Sequence, residues 1–182
     1  WRNGARYLVS YDSRDNVNWS KHGFLVLWQQ MFFSDVIGDY SFNTKLLDIR
    51  GFTELPFWNI SMATAVLWEQ ANGDVPFDMR SGPDGIKRFR GVESLCFNDK
   101  QALIIQAEFR KFLGWRLAGD IFYEGGKVGD HFSELWRNKW HQAIGFGGQL
   151  ALNLKERLYA RGELSLIDFK KLGLTVYVRE AF

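Results

Sequence analysis

The sequence is poor in residues that form crosslinks or bind metals. It contains one cysteine, three histidines and three prolines in 182 residues. A single cysteine, Cys96, excludes an internal disulfide, and the scattered His22, His131 and His141 lack the spacing of a metal site. The formal net charge is only +2, which gives no reason to expect nucleic acid as a partner. We therefore predict neither a cofactor nor a metal.

Long apolar runs are also absent. No run approaches the roughly 20 residues that a membrane-spanning helix needs. Closed β-barrels cross bilayers on alternating strands instead, so a membrane protein stays among the possible classes. The chain begins at Trp1, without a methionine or a charged-then-apolar leader, and we expect it to be a processed protein or a part of a longer one.

The chain is rich in aromatic residues, at 16% with eight tryptophans, and it contains 18 glycines. Apolar and polar residues alternate in nine segments that are bounded by turn residues, which predicts β-strands. The predicted strands are 6–14, 23–33, 40–52, 57–70, 101–113, 115–128, 140–153, 157–169 and 172–182. This spacing predicts one all-β domain over residues 1–182, an antiparallel barrel or a sandwich.

The faces of the predicted strands differ most clearly after residue 100. One face is apolar, and the other mixes small residues with acids and arginines, as in the packed polar lumen of a membrane barrel. The charged residues assigned to this lumen are Arg110, Arg116, Asp120, Arg161 and Glu163. Segments 23–33 and 40–52 are apolar on both faces or mixed, so their orientation stays open.

Alternation alone does not separate a lipid-facing barrel from a soluble one, and two features favour the membrane. Trp58 and Trp68 share a predicted strand face at a spacing of about 25 Å across the bilayer, as in an aromatic girdle. The last predicted strand also ends on an aromatic residue, as outer-membrane barrel strands usually do. Its apolar face consists of Leu174, Val176, Val178 and Phe182.

No catalytic arrangement is evident. Ser, His and acidic residues form no triad-like pattern, and no glycine-rich segment follows a strand and opens a helix as a phosphate loop does. Asp120 and Glu124 lie four residues apart on one strand face, where a hydrolytic carboxylate pair is conceivable. Packing inside a polar lumen explains them better, and we predict that the protein is not an enzyme.

Seven short motifs, in order along nearly the whole chain, resemble the BamA/TamA outer-membrane assembly factors of the bacterial surface-antigen superfamily. The motifs are YDSRDN at 11–16, GDVPF at 73–77, RGV at 90–92, AEFR at 107–110, FYEGG at 122–126, GFGGQ at 145–149 and EAF at 180–182. Val92 departs from the family, whose motif ends in an aromatic residue. The resemblance implies the C-terminal half of a sixteen-stranded transmembrane barrel with an inward-folded loop, without the N-terminal strands and any periplasmic POTRA domains.

The resemblance also implies a lock inside the barrel. In the family, the arginine of the inward loop meets acids on the two following strands. Carried over, Arg90 pairs with Glu108 and Glu124, and Gly91 lets the backbone make a tight turn. Strand parity independently points both acids inward. The alternative is that neighbours neutralise each other, Glu108 with Arg110 and Arg161 with Glu163.

Three functions follow as hypotheses. The leading one is insertion, assembly or translocation of proteins at the outer membrane of a Gram-negative bacterium, with lipid, unfolded outer-membrane clients and periplasmic or lipoprotein subunits as partners. The second is a passive anchor or exporter for an attached domain such as a patatin-like lipase. The third is a soluble β-barrel that carries a lipophilic ligand, which needs inward-facing Leu and Phe. POTRA repeats upstream of Trp1 would favour the first, and a hydrolase the second.

Overall fold

The computed structural model describes residues 3–36, 38–56, 58–82, 88–92 and 97–178. Within these ranges the chain forms a single sheet of nine antiparallel strands, arranged in the order of the sequence. The strands are β1 (Gly4–Asp12), β2 (Gly23–Phe33), β3 (Phe42–Leu55), β4 (Ile60–Gly73), β5 (Gln101–Gly114), β6 (Leu117–Gly129), β7 (His141–Asn153), β8 (Leu158–Ile167) and β9 (Lys171–Val178). The predicted all-β class and number of strands are confirmed.

Two short 3-10 helices, Phe77–Met79 and Phe132–Trp136, lie in the connections after β4 and β6. In the described part of the chain, no helix combines the length and the apolar character that crossing a membrane requires. The sheet is open there, with β1 and β9 as its two edges.

The strand boundaries differ most from prediction around the β3–β4 turn. β3 runs to Leu55 and β4 begins only at Ile60, whereas the sequence predicted strands 40–52 and 57–70. The amide of Trp58 donates to the carbonyl of Leu55 (3.3 Å), and Asn59 has a φ of 51°. A residue with positive φ cannot continue a strand, so the turn takes up residues that alternation had assigned to β4.

Register aligns the side chains into one inward and one outward face. In β5 to β8 the buried residues alternate with exposed apolar ones, which confirms the parity predicted for these strands. Trp28 pairs with Leu47, and Leu47 pairs with Trp68, so these three residues share the outward face. This register settles β2 and β3, whose orientation was open, and it places Asp48 and Phe52 on the inward face.

The sheet curves back on itself. In the β1–β2 connection, Asn18 donates to the carbonyl of Glu156 in the β7–β8 turn (2.7 Å), and Trp19 packs against Tyr159 of β8. Tyr177 of β9 likewise packs against Phe52 at the end of β3. Elements six or seven strands apart therefore meet across the inward face.

The two ends of the sheet differ in their connections. At one end the β3–β4, β5–β6 and β7–β8 connections are tight turns and β1–β2 is longer; at the other end the β2–β3, β4–β5 and β6–β7 connections are longer and β8–β9 is short. The longest, between β4 and β5, sends residues 88–92 onto the inward face, where Phe89 and Arg90 become buried. The candidate site lies at this point.

Candidate functional site

Residues 88–92 are held on the inward face by contacts on both sides of Arg90. Phe89 is fully buried against Ala143 of β7 and Ile167 of β8, with Val92 packed beside them. The amide of Val92 donates back to the carbonyl of Phe89 (3.2 Å), closing a tight turn. Gly91 has a φ of 82° at this turn, a conformation that glycine adopts without strain.

Arg90 is fully buried and binds three carboxylates. Its Nε and its backbone amide donate to the two oxygens of Glu124, each at 2.6 Å. Its Nη1 donates to Glu108 (2.5 Å) and to Glu163 (3.1 Å). The ring of Phe122 lies below the guanidinium, 3.5 Å from ring centroid to Cζ, and adds a cation–π contact.

The electrostatics of the site keep Arg90 charged. Burial alone lowers the pKa of its guanidinium, because a buried charge loses hydration. The negative charges of Glu124, Glu108 and Glu163 outweigh that effect and raise the pKa of Arg90 above its usual value. The buried loop therefore carries a permanent cation surrounded by acids.

Two further arginines bind the same acids, on the side of Arg90 that faces the β1–β2 connection. Arg110 Nε lies 2.6 Å from Glu108, and Arg161 Nη2 lies 2.8 Å from Glu108 and 2.7 Å from Glu163. Asp120 accepts from Gln149 Nε2 (2.7 Å). The neighbour pairs Glu108–Arg110 and Arg161–Glu163 are formed together with the contacts of Arg90. The Arg90 lock and the pairing of neighbours, which the sequence analysis gave as alternatives, therefore coexist.

Three acids of this cluster, Glu108, Asp120 and Glu163, have oxygens within 4.8 Å of one another, a geometry that a metal ion sometimes exploits. Here Arg161 Nη2 lies among them, 3.5 Å from Asp120 and closer to the other two. A guanidinium nitrogen takes the position between the carboxylates. The donor set therefore suits a protein cation rather than a metal ion.

The acids of the cluster are taken up by contacts within the protein. Asp120 and Glu124, the conceivable hydrolytic pair, are directed to different partners: Asp120 to Gln149 and Arg161, and Glu124 to Arg90 and Gln106. Both oxygens of Glu124 accept hydrogen bonds. Charge-assisted bonds of this kind, in a desolvated interior, fix geometry strongly.

Two residues that the sequence assigned to functional sets lie elsewhere. Arg116 is exposed in the β5–β6 turn, so its assignment to the lumen network is wrong. The turn begins at Gly114 and Trp115, which have φ of 109° and 53°, and it ends the strand alternation before Arg116. Trp58, 67% exposed, lies in the β3–β4 turn, so it does not share a strand face with Trp68.

The remaining predicted residues of β4 and β9 lie on the outward face. Trp68 stacks with Trp28 at 6.4 Å between ring centroids. Leu174, Val176 and Val178 are exposed along β9, as their shared parity predicts. Phe182, the last member of the predicted C-terminal signal, lies outside the described residues.

Sequence reasoning did not single out four residues that touch the loop or its acids. They are Phe122, Ser165, Gly173 and Tyr177. Strand parity could have indicated two of them. Phe122 shares the inward face of β6 with Glu124, and Tyr177 pairs with the inward Arg161 of β8. Glu163 was predicted to lie in the lumen, but its contact with Arg90 across 73 residues of chain was not.

No family model matches the chain, and no curated protein matches it either.

Proposed function

We propose that the chain is the C-terminal half of a sixteen-stranded outer-membrane barrel of the BamA/TamA type, which assists the insertion, assembly or translocation of proteins in a Gram-negative bacterium. One observation carries the proposal. Arg90 binds Glu108 and Glu124, the two acids to which the resemblance assigns it, from a loop that enters the inward face. Arg90, Glu108 and Glu124 belong to three of the seven ordered motifs, so the residues that carry the resemblance also form the contact.

The outward face supports a membrane location. Large apolar side chains cover it, among them Ile121, Phe146, Leu164 and Leu174, while the charged cluster is turned inward. A contiguous exposed apolar surface of this kind marks a contact with lipid or with another protein. Three of the four connections at one end are tight turns and three of the four at the other end are longer, an asymmetry that outer-membrane barrels also have.

The open edges support a role with client proteins. Edge strands present unpaired backbone groups that accept a further strand, and β9 is such an edge in the described sheet. In the proposed mechanism, a client strand adds to β9 as the seam of the complete barrel opens. Unfolded outer-membrane proteins are the expected clients, and periplasmic or lipoprotein subunits are the expected accessory partners.

A passive anchor for an attached domain, such as a patatin-like lipase, is the second candidate. The filled interior favours it, because Arg90, Arg110 and Arg161 occupy the space that an open exporter would need. The third hypothesis, a soluble carrier of a lipophilic ligand, has less support. It needs an apolar interior, whereas the interior around Arg90 is charged.

The test is an insertion assay with the full-length protein that contains this chain. The protein is reconstituted in phospholipid vesicles, a small outer-membrane barrel is added from urea, and folding of the added client is followed by its heat-dependent gel migration. Vesicles with an unrelated barrel at the same protein-to-lipid ratio serve as the control. We expect folding of the client to be several-fold faster than in the control.

If the client folds at the same rate in both kinds of vesicle, the assembly function is contradicted and the passive anchor is the remaining membrane function. Stable solubility of the protein without detergent or lipid would contradict both membrane functions.

A further inference from the structure

The loop that carries Arg90 also touches the edge strand β9. Gly91 and Gly173 lie backbone against backbone on the inward side of the sheet. A Cβ added to Gly173 would lie 2.7 Å from the Cα of Gly91 and 2.6 Å from Ser165 Oγ, and one added to Gly91 would lie 2.9 Å from the Cα of Gly173. Each glycine therefore makes room for the other, and no side chain separates the loop from β9.

Ser165 of β8 joins the same contact. Its hydroxyl donates to the carbonyl of Arg90 (3.0 Å) and lies 3.5 Å from the carbonyl of Gly173. Ser165 pairs directly with Gly173 in the β8–β9 register. The loop is thus bonded at the point where β8 and β9 are joined.

A second connection lies four residues further along β9. Tyr177 donates its hydroxyl to the carboxylate of Glu163, at 3.1 and 3.2 Å to the two oxygens. The same carboxylate accepts from Arg90 Nη1. Gly173 and Tyr177 share the inward face of β9, so both connections act on the same side of the strand.

β9 lies at an edge of the described sheet and has one neighbouring strand. In the described sheet it pairs only with β8, and the outward Leu172, Leu174 and Val176 are exposed. Its inward face carries Gly173, the buried Thr175 and Tyr177, and Tyr177 packs against Phe52 and lies under the guanidinium of Arg161. The docked loop therefore contacts β9 directly at Gly173, and through Arg90 it binds the carboxylate of Glu163 that also accepts from Tyr177.

We infer that residues 90–91 are a latch on the edge strand: the docked loop keeps β9 paired with β8, and withdrawal of the loop releases β9 before the strands β5 to β8. The inference rests on the proposed function where β9 is the edge that receives a client strand. It adds a regulation of that edge, because docking of the loop at the Arg90 site would control whether β9 stays paired with β8.

Amide hydrogen exchange of the full-length protein in vesicles tests the latch. The main variant is Gly173→Ala, whose methyl group clashes with the backbone of Gly91 and with Ser165 Oγ, the two groups that join the loop to β9. Replacement of glycine by alanine at a compatible site usually stabilises a protein, so faster exchange in β9 cannot come from intrinsic strand preference. The matched control is Gly162→Ala on β8, where an added Cβ meets nothing within 4 Å.

In Gly173→Ala we expect the amides of residues 172–178 and 88–92 to exchange at least about tenfold faster, with β5 and β6 unchanged. Tyr177→Phe, which removes only the bond to Glu163, should accelerate β9 to a smaller extent. Gly162→Ala should match the wild type. Unchanged β9 exchange in Gly173→Ala with faster exchange at 88–92 would overturn the latch, and so would an equal increase in all strands.

The insertion assay separates this inference from the proposed function. Faster β9 exchange in Gly173→Ala, together with wild-type client rates no higher than those of the unrelated barrel, supports the latch and contradicts the assembly function. Faster client folding by the wild type, together with unchanged β9 exchange in Gly173→Ala, supports the assembly function and contradicts the latch.

Discussion

Glu124 bonds the inward loop through two different groups of one residue. One carboxylate oxygen accepts from the guanidinium of Arg90 and the other from its backbone amide, both at 2.6 Å. The side chain and the backbone of the loop are thereby fixed together. A loop that was held by its side chain alone would keep the freedom to rotate its backbone around that contact.

Replacing this acid by its neutral isostere should therefore be costly. We expect Glu124→Gln to lower the free energy of unfolding by about 3 kcal/mol or more, because it leaves a buried guanidinium without one of its counter-charges. Urea unfolding in detergent, followed by tryptophan fluorescence, measures the loss. Glu156→Gln in the exposed β7–β8 turn is the control, and equal losses in both variants would show that Glu124 does not hold the loop.

Gly145 supports the same site from below. A Cβ at this position would clash with the backbone carbonyl of Leu164 on β8 and with the ring of Phe122, 2.7 Å from its Cε1, beneath the guanidinium of Arg90. We expect Gly145→Ala to push Phe122 against the loop and to lower the midpoint of urea unfolding. Gly148→Ala, on the outward face of the same strand, meets nothing within 4 Å and should leave the midpoint unchanged or raised. Similar midpoints for the two variants would contradict a role for Phe122 packing.

At the scale of elements, the β1–β2 connection is bonded to the β7–β8 turn on the far side of the sheet. Arg157 of the β7–β8 turn donates to Asp15 (2.5 Å), and the backbone amides of Lys21 and His22 donate to the same carboxylate. Burial raises the pKa of Asp15, but these hydrogen bonds and the charge of Arg157 outweigh it and hold the pKa below the usual range.

The lowered pKa of Asp15 predicts that its contribution to stability depends on pH. A carboxylate whose pKa is depressed by folding stabilises the folded state above its unfolded pKa of about 4, and this contribution is lost as the pH falls through the folded value. We expect Asp15→Asn to be less stable than the wild type at about pH 7, and the difference to shrink as the pH falls below about 4. Urea unfolding across this range measures it. Asp35→Asn in an exposed turn is the control, and a difference that persists unchanged in acid would contradict this role of Asp15.

The sequence predicts strands and faces better than it predicts where strands end. Alternation has a period of two residues, so it shows that Glu108 and Glu124 share the inward face of their strands. The same alternation continues through the turns, where Asn59 and Trp115 adopt positive φ without being glycine. For this reason it misplaced Trp58 and Arg116, which lie beside those two residues.

Contacts across the curved sheet were beyond sequence reasoning for a different reason. The contact of Arg90 with Glu163, and that of Gly91 with Gly173, depend on how far the sheet curves. Curvature arises from the summed twist of all the strands, and no single motif records it. Arg90 was paired with two of its three acids because a family resemblance supplied the fold-back of the loop.

At the scale of the whole molecule, charge and apolar surface are separated by the sheet. The three buried arginines Arg90, Arg110 and Arg161 lie on the inward face with their acids, while Phe146 is 61% exposed on the outward face. Phe146 lies near the middle of β7, between its outward partners Ile121 and Leu164. If the outward face meets lipid, as proposed, this position lies near the centre of the bilayer.

A charge at Phe146 should then be far more costly than the same charge near a turn. We expect Phe146→Arg to reduce the stability of the protein in phospholipid vesicles by about 2–4 kcal/mol, the cost of arginine at the bilayer midplane. Leu154→Arg is the matched control, because Leu154 is exposed in the β7–β8 turn, where a charge meets water or headgroups. The folded fraction of each variant across a urea series, read from heat-dependent gel migration, gives the two stabilities. Equal stabilities would mean that the outward apolar face does not contact acyl chains, and the membrane location would fall with it.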